Sequence, residues 1–397
     1  MKLPFTLAEF KILIIIILLA ISGMLGTDIH LASLPSIMNY MHTDKQHMQQ
    51  SISIFLLGMG FSLLFYGPLS DKYGRKPIVI IGLSIAIIAS FASIFTVHIT
   101  SFLITRLLQG VGSGVCMGLG RTMVADVLQG KRLATVGSYF SMFTTLSAIF
   151  APAVGGYLQH WFDWQANFMA LGIFLVITLA LYSCFCPETN HHKNPHACSI
   201  KGLSHSYISL LSHPVFVGCT ILSGIATAVG MAYATTSSFI LQTDFHLTVI
   251  QYGWLTSMIG IGSFVGKFIC PLLIKYIETD NTIKTGLWFI LLSGLVICLS
   301  SWLTNLELSL FMLGVVISTF GQIFILVNTM AKALSPFHDK RGAAGALYGS
   351  FQMLVAFIVS AVIGSLAFEG VTLLGISFII LGLIGLIVFS KLVKPSP

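Results

Sequence analysis

Residues 51–95 read SISIFLLGMGFSLLFYGPLSDKYGRKPIVIIGLSIAIIASFASIF, two apolar runs joined by one short turn. An α-helix of ~20 mainly apolar residues crosses the ~30 Å hydrocarbon core of a bilayer, and each run reaches that length. The turn holds all the charge: Asp71, Lys72, Arg75 and Lys76, flanked by Gly67 and Gly74. Two spans with their charge confined to the connection make a membrane hairpin, and the rest of the chain repeats the pattern.

Working outward, twelve such segments fall near 12–34, 50–68, 78–97, 101–121, 136–158, 166–186, 215–240, 251–274, 284–303, 306–330, 343–367 and 371–390. The expected fold is therefore an all-α membrane protein of twelve helices. Composition agrees, because only 8% of the 397 residues are charged and 56% are hydrophobic. Soluble domains carry about 25% charged residues, so this chain cannot coat a water-facing surface and the lipid bilayer must be its main solvent. The longest polar break, 187–214, falls after the sixth span and divides the chain into a first bundle, 1–186, and a second, 215–397. Lys2 and Lys11 precede an apolar run longer than the ~7–15 residues of a secretory signal, so the first span is expected to remain in the protein.

Positive charge gives the orientation. Placing both termini and the even-to-odd connections on one side gathers eighteen of the twenty Lys and Arg there, leaving Lys45 opposite and Arg106 inside a span. The positive-inside rule then puts both termini in the cytoplasm, as expected of a multi-pass inner-membrane protein. Positive charge spread in this way reports topology and gives no phosphate-binding face, so nucleic acid is excluded as a partner despite a net charge of +7. Seven scattered cysteines read as small buried hydrophobes. Cys184, Cys186, His191, His192 and His196 fit no zinc spacing, so no metal is expected.

The chemistry lies in the few polar residues inside the spans. Asp28, on the first, and Arg106, on the fourth, sit six and five residues inside the expected outer boundaries, or ~9 and ~7.5 Å deep. Similar depth allows them to pair. Desolvation and a nearby guanidinium pull the proton affinity of a carboxyl in opposite directions, which suits a site that loads and releases a proton; a static ion pair between helices is the other reading. Span five carries Ser138, Ser147, Ala151, Pro152, Gly155 and Gly156, where proline and paired small residues weaken the helix ladder and allow close approach of a neighbour. Gly110, Gly112, Gly114, Gly118 and Gly120 mark close packing on span four, and Arg121 with Asp126 read as surface anchors at its end. His30, Phe61, Gln109, Tyr139, Phe143, Tyr233, Gln322, Asn328, Tyr348 and Gln352 are candidates to line a substrate cavity, or equally to hydrogen-bond neighbouring helices.

The turn at Gly67, Leu69, Ser70, Asp71, Lys72, Gly74, Arg75 and Lys76 resembles the G-x-L-[SA]-D-[RK]-x-G-R-[KR] loop of the major facilitator superfamily. Arg106-Leu107-Leu108-Gln109-Gly110-Val111-Gly112 is similar to that family's R-x-x-Q-G-x-G helix. Span five matches the spacing of its antiporter signature, with Ser138, Ser147 and Ala151 in place of three glycines. Asp28-Ile29-His30-Leu31-Ala32-Ser33-Leu34-Pro35 resembles the D-x-Y-L-P-A-L-P element of the bicyclomycin/chloramphenicol-resistance branch of drug:proton antiporters, with His30 where the tyrosine stands.

The resemblance implies two six-helix halves rocking about a central site, a cytoplasmic latch at Gly67, Asp71, Gly74, Arg75 and Lys76, and proton coupling through Asp28 and Arg106. It also implies export of small amphipathic molecules by a monomer driven by the proton gradient, with no bound cofactor. Export of a single metabolite such as a siderophore, proton symport, and a receptor or scaffold that moves nothing stay open. No nucleotide-binding P-loop and no paired nucleophile and base occur, so neither an ATP-driven pump nor an enzyme is expected.

Overall fold

The computed structural model describes residues 7–128, 130–190, 193–195, 197, 199–274, 276–302, 307–337, 341–366 and 370–393. Among the described residues there is no strand, and twelve helical segments are long and apolar enough to cross a membrane. A helix satisfies its backbone polar groups internally, which is why lipid selects it. The elements are α1 (Leu7–Asp28), α2 (Leu34–Tyr40), α3 (Lys45–Tyr73), α4 (Arg75–Ile94), α5 (Ile99–Val127), α6 (Gly130–Phe162), α7 (Gln165–Phe185), α8 (Ile200–Leu211), α9 (Pro214–Phe239), α10 (Val249–Ile274), α11 (Thr279–Trp302), α12 (Leu308–Leu334), α13 (Arg341–Ser365) and α14 (Val371–Val388).

α1 to α7 pack mainly on one another, as do α9 to α14, and the two groups meet where α3 lies along α13 and α6 along α10. The basic end of the molecule carries the α3–α4 turn; the opposite end carries α2. At that opposite end, Gln242 Nε2 donates to the Ala32 carbonyl at 2.9 Å, and Trp254 Nε1 donates to the Tyr157 hydroxyl at 3.1 Å. Toward the basic end, Ser350 Oγ donates to the Gly60 carbonyl at 2.7 Å and Lys267 Nζ donates to Thr145 Oγ1 at 2.5 Å.

Three features differ from the sequence expectation. The first span is longer than 12–34, running Glu9–Tyr40, and it is broken: α1 stops at Asp28, a single 3-10 turn covers Leu31–Ser33, and α2 restarts with Pro35 in its first turn. Proline is tolerated there because the amide it lacks would have no partner in a first turn. The polar segment 187–214 contains a helix, α8, whose Tyr207 hydroxyl donates to the Leu64 carbonyl at 3.1 Å. Cys184 is exposed, whereas Cys116, Cys186, Cys219, Cys270 and Cys298 are buried as expected; Cys198, His191, His192 and His196 lie outside the described residues.

Candidate functional site

Small residues decide how the first span meets its neighbours. Gly23 and Gly26 lie three apart on α1 and both face α5: a Cβ on Gly23 would sit 3.2 Å from Cys116 Cβ, and one on Gly26 would sit 3.2 Å from Ser113 Oγ. Asp28 is two residues beyond Gly26. At 100° per residue its side chain leaves the helix ~200° away from Gly26, on the face turned from α5. Asp28 and Arg106 consequently form no ion pair, and the expected pairing is corrected. The two lie at a similar level all the same, since Arg106 bonds the Gly26 carbonyl two residues before Asp28.

Arg106 is instead fully buried inside the first bundle. Its Nη1 donates to the Gly26 carbonyl at 3.2 Å and to Gln109 Oε1, and its guanidinium lies over the Phe55 ring at 4.4 Å. Gln109 Nε2 passes the chain on to Ser90 Oγ at 2.8 Å. His30, also fully buried, lies near enough to Arg106 to feel its charge and packs on Phe168 with ring centroids 5.6 Å apart. Neither ring nitrogen of His30, nor Nε and Nη2 of Arg106, has a hydrogen-bond partner among the described residues.

Asp28 is half-buried at the C-terminal end of α1 and makes no ion pair or side-chain hydrogen bond among the described residues. The phenol it acts on electrostatically is Tyr252 of the second bundle, itself buried and 3.2 Å from Ser237 Oγ. An acid with no ion-pair partner among the described residues thus sits at a helix break, within electrostatic reach of Tyr252. Four residues further on, the break frees the Ala32 carbonyl that Gln242 holds.

The α6 element approaches both bundles at backbone distance. A Cβ on Gly155 would lie 1.9 Å from the Ile29 carbonyl oxygen and one on Gly156 would lie 2.8 Å from that of Val249; from the other side, a Cβ on Gly253 would lie 2.7 Å from the Pro152 carbonyl. Ala151 and Ser147 are buried, and the Ser138 side chain lies outside the described ones. The helix runs continuously through Pro152, and the backbone approach lies at Gly155 and Gly156 just after it.

At the basic end the latch residues are held by groups the sequence reading left out. Arg75 Nη1 donates to Asp71 Oδ1 and to Ser70 Oγ, each at 2.5 Å, while its Nε donates to Asp126 Oδ2 at 3.1 Å. Asp126, exposed at the end of α5, is therefore also a partner of the latch; the Arg121 side chain lies outside those described. Gly74, at φ 107°, allows α3 to stop and α4 to start one residue later, a conformation L side chains rarely adopt. Glu188 caps the new helix, its Oε1 accepting from the Arg75 amide at 2.8 Å and its Oε2 from the Lys76 amide at 3.1 Å. These polar bonds join the first bundle to the segment that follows it, and Gly67 approaches the second bundle, where an added Cβ would stand 3.5 Å from Ala346 Cβ. Glu188 is the one acid in 187–214, directly after a span and opposite a helix start, and that was the available signal.

Glu188 links the latch to pH. Burial pushes its carboxyl up, but the amides of Asn190, Arg75 and Lys76 and the Lys193 ammonium together hold it below the usual carboxylate range. A depressed folded-state value means its contribution is fully present above the unfolded value and lost as pH falls through the lower folded one. Exchange protection of the Arg75 and Lys76 amides should hold from neutral pH down through ordinary carboxylate titration and fall only below it. Glu188→Gln should lower that protection at neutral pH; unchanged protection would show that the cap contributes nothing.

The cavity candidates divide. Gln109 is spent inside the first bundle, and Asn328 (on the Phe324 carbonyl), Tyr348 (on Thr329) and Gln352 (on Thr227) bond within the second. Gln322 Nε2 lies 3.4 Å from Ser318 Oγ, and the Tyr233 hydroxyl 3.5 Å from Thr256 Oγ1. Phe61, Tyr139 and Phe143 are exposed.

Comparison with known proteins agrees with this architecture. The profile of the Major Facilitator Superfamily matches residues 16–360. The chain is 25% identical to "Multidrug resistance protein MdtL" of Shewanella oneidensis over 88% of its length and 87% of that protein's. It is 25% identical to the "Bicyclomycin resistance protein homolog" of Haemophilus influenzae, covering 89% and 88%, and 24% identical to "Multidrug resistance protein D" of Escherichia coli, covering 94% and 93%. Among solved structures it superposes on the partially occluded inward-open xylose transporter XylE of E. coli with a TM-score of 0.76, over 99% of this chain and 98% of that one at 14% identity, a likeness of fold. With the latch, the broken first span and the close α6–α10 contact in place, these matches show that the chain belongs to the Major Facilitator Superfamily, as a multi-pass transporter of the inner membrane.

Proposed function

We propose that this chain is a proton-driven exporter of small amphipathic molecules, working by alternating access with both termini in the cytoplasm. The single observation that carries the reading is Asp28: a carboxyl in the membrane interior, at a helix break, within electrostatic reach of Tyr252 on the second bundle, with no cation paired to it among the described residues. Charged side chains in spans are costly and cluster on ion and proton pathways. An acid without a permanent partner exchanges its neutraliser, a proton in one state and cargo in the other. Arg106 acts at one remove, through the Gly26 carbonyl that it holds, two residues before the acid.

Gln242 and Ala32 tie the break to the second bundle, so relative movement of the bundles pulls on the segment next to Asp28. Proton exchange and alternating access are coupled by that connection. The names of the relatives, two multidrug resistance proteins and a bicyclomycin resistance homolog, support drug-like cargo. The excess of basic residues on one side supports the orientation.

The test is transport in reconstituted vesicles under an imposed pH gradient, screened across lipophilic drugs and siderophore-like compounds. Gradient-dependent movement of several unrelated drugs against proton flow is the expected result. Movement of cargo in the same direction as protons would replace antiport with symport, and a response to one metabolite alone would replace the multidrug reading.

A further inference from the structure

A groove opens at the basic end between the start of α1, the start of α4 and the end of α7. Lys11 and Lys76 line it together with Ile12, Cys184 and Phe185. Phe185 is the last residue of α7, Lys76 the second of α4, and Lys11 lies one turn into α1, so the groove is level with the membrane surface. Phe185 is 62% exposed, and Phe10 and Ile14 are exposed beside Lys11 on α1. The groove thus has cations at the level of the headgroups and bare apolar side chains leading toward the acyl region.

Neither lysine has a carboxylate partner among the described residues. The acids close by are engaged elsewhere. Glu9 pairs with Arg132 at 2.7 Å, Asp71 and Asp126 hold Arg75, and Glu188 accepts from the backbone of Arg75, Lys76 and Asn190. Two unneutralised ammonium groups over an apolar wall complement a phosphodiester carrying acyl chains. A zwitterionic headgroup brings its own cation and leaves one lysine unmatched, and a free phosphate leaves the apolar wall bare.

From this geometry we infer that the groove is a binding site for one anionic glycerophospholipid, with the phosphate between Lys11 and Lys76 and the chains descending along Phe185 and Ile14. Basic pockets between helices at a membrane surface select such lipids. The bound lipid fastens the start of α1, whose other end is Asp28, to the start of α4, which the latch caps.

The inference is checked by native mass spectrometry of the full chain in detergent, offered equal phosphatidylglycerol and phosphatidylcholine, with inorganic phosphate in a separate arm. Wild type should retain phosphatidylglycerol selectively. Each lysine near an anionic headgroup contributes roughly fivefold, so Lys11→Gln with Lys76→Gln should lower that retention by roughly twenty-five-fold, while Lys391→Gln, at the same end but outside the groove, leaves it unchanged. Undiminished selectivity in the double variant, an equal loss in Lys391→Gln, or displacement of the lipid by millimolar phosphate would each overturn the assignment. The first result removes the site, the second reduces it to diffuse charge, and the third makes it a phosphate site.

Discussion

Vesicles containing the Asp28→Asn protein are expected to lose gradient-driven substrate movement to the level of protein-free vesicles while keeping substrate exchange in the absence of a gradient. The amide has nearly the shape of the acid and cannot take up or release a proton at neutral pH. Asp28 makes no ion pair or side-chain hydrogen bond among the described residues, so the substitution breaks no contact that holds the first span in place. A neutral amide is less costly in the membrane interior than a carboxylate, so the melting temperature should not fall below that of wild type. Full gradient-driven transport by the Asn protein would remove Asp28 from the coupling mechanism. Loss of both activities together with a lowered melting temperature would make it a structural residue.

Gly155→Ala should produce the largest structural effect of any single methyl group on α6. The new Cβ would stand 1.9 Å from the Ile29 carbonyl oxygen, a backbone atom that cannot swing aside. Either α6 retreats from α1 or the segment after Asp28 moves, and in both cases the break that presents the acid is displaced. Overpacking of this kind typically costs about 1–3 kcal/mol, so a clear drop in melting temperature and a severe loss of transport are expected. Gly137→Ala on the same helix is the control, because nothing lies within 4 Å of its added Cβ. Alanine in a helix is favoured over glycine by about 0.5–1 kcal/mol, and that variant should be neutral or slightly more stable. Equal behaviour of the two proteins would show that the close approach of α6 to the first span is not required.

The two experiments probe one arrangement from opposite sides. Asp28→Asn alters the chemistry and leaves the packing, whereas Gly155→Ala alters the packing and leaves the chemistry. Transport that fails in both, with stability lost in the second alone, is the pattern expected of a coupling acid positioned by a helix break. The lipid site is independent of either outcome, since it rests on the basic end of the first bundle and not on the identity of the cargo.

Twelve spans, the side that carries the positive charge and the basic turn between α3 and α4 were all legible in the residues, because lipid imposes a one-dimensional rule. Backbone groups in hydrocarbon must be satisfied within their own segment, so length and apolarity along the chain are enough to mark each span. The closeness of α6 to its neighbours was legible for a similar reason: only small residues permit backbone contact, and Gly155 and Gly156 announce it. Which partner each polar side chain takes is a different kind of question. Asp28 and Arg106 looked matched in depth, yet a rotation of ~200° about α1 separates the acid from the face that meets Arg106, and depth along a chain carries no information about rotation around it. Glu188 and Asp126 join the latch only when segments 113 and 51 residues away in the chain fold back onto the Arg75 amide and guanidinium. The sequence by itself settled what lies in the membrane and where its few charges fall; the tertiary structure decided which of them face one another, because helix azimuth and inter-helix contact are set by packing across the bundle and not by any pattern along one helix.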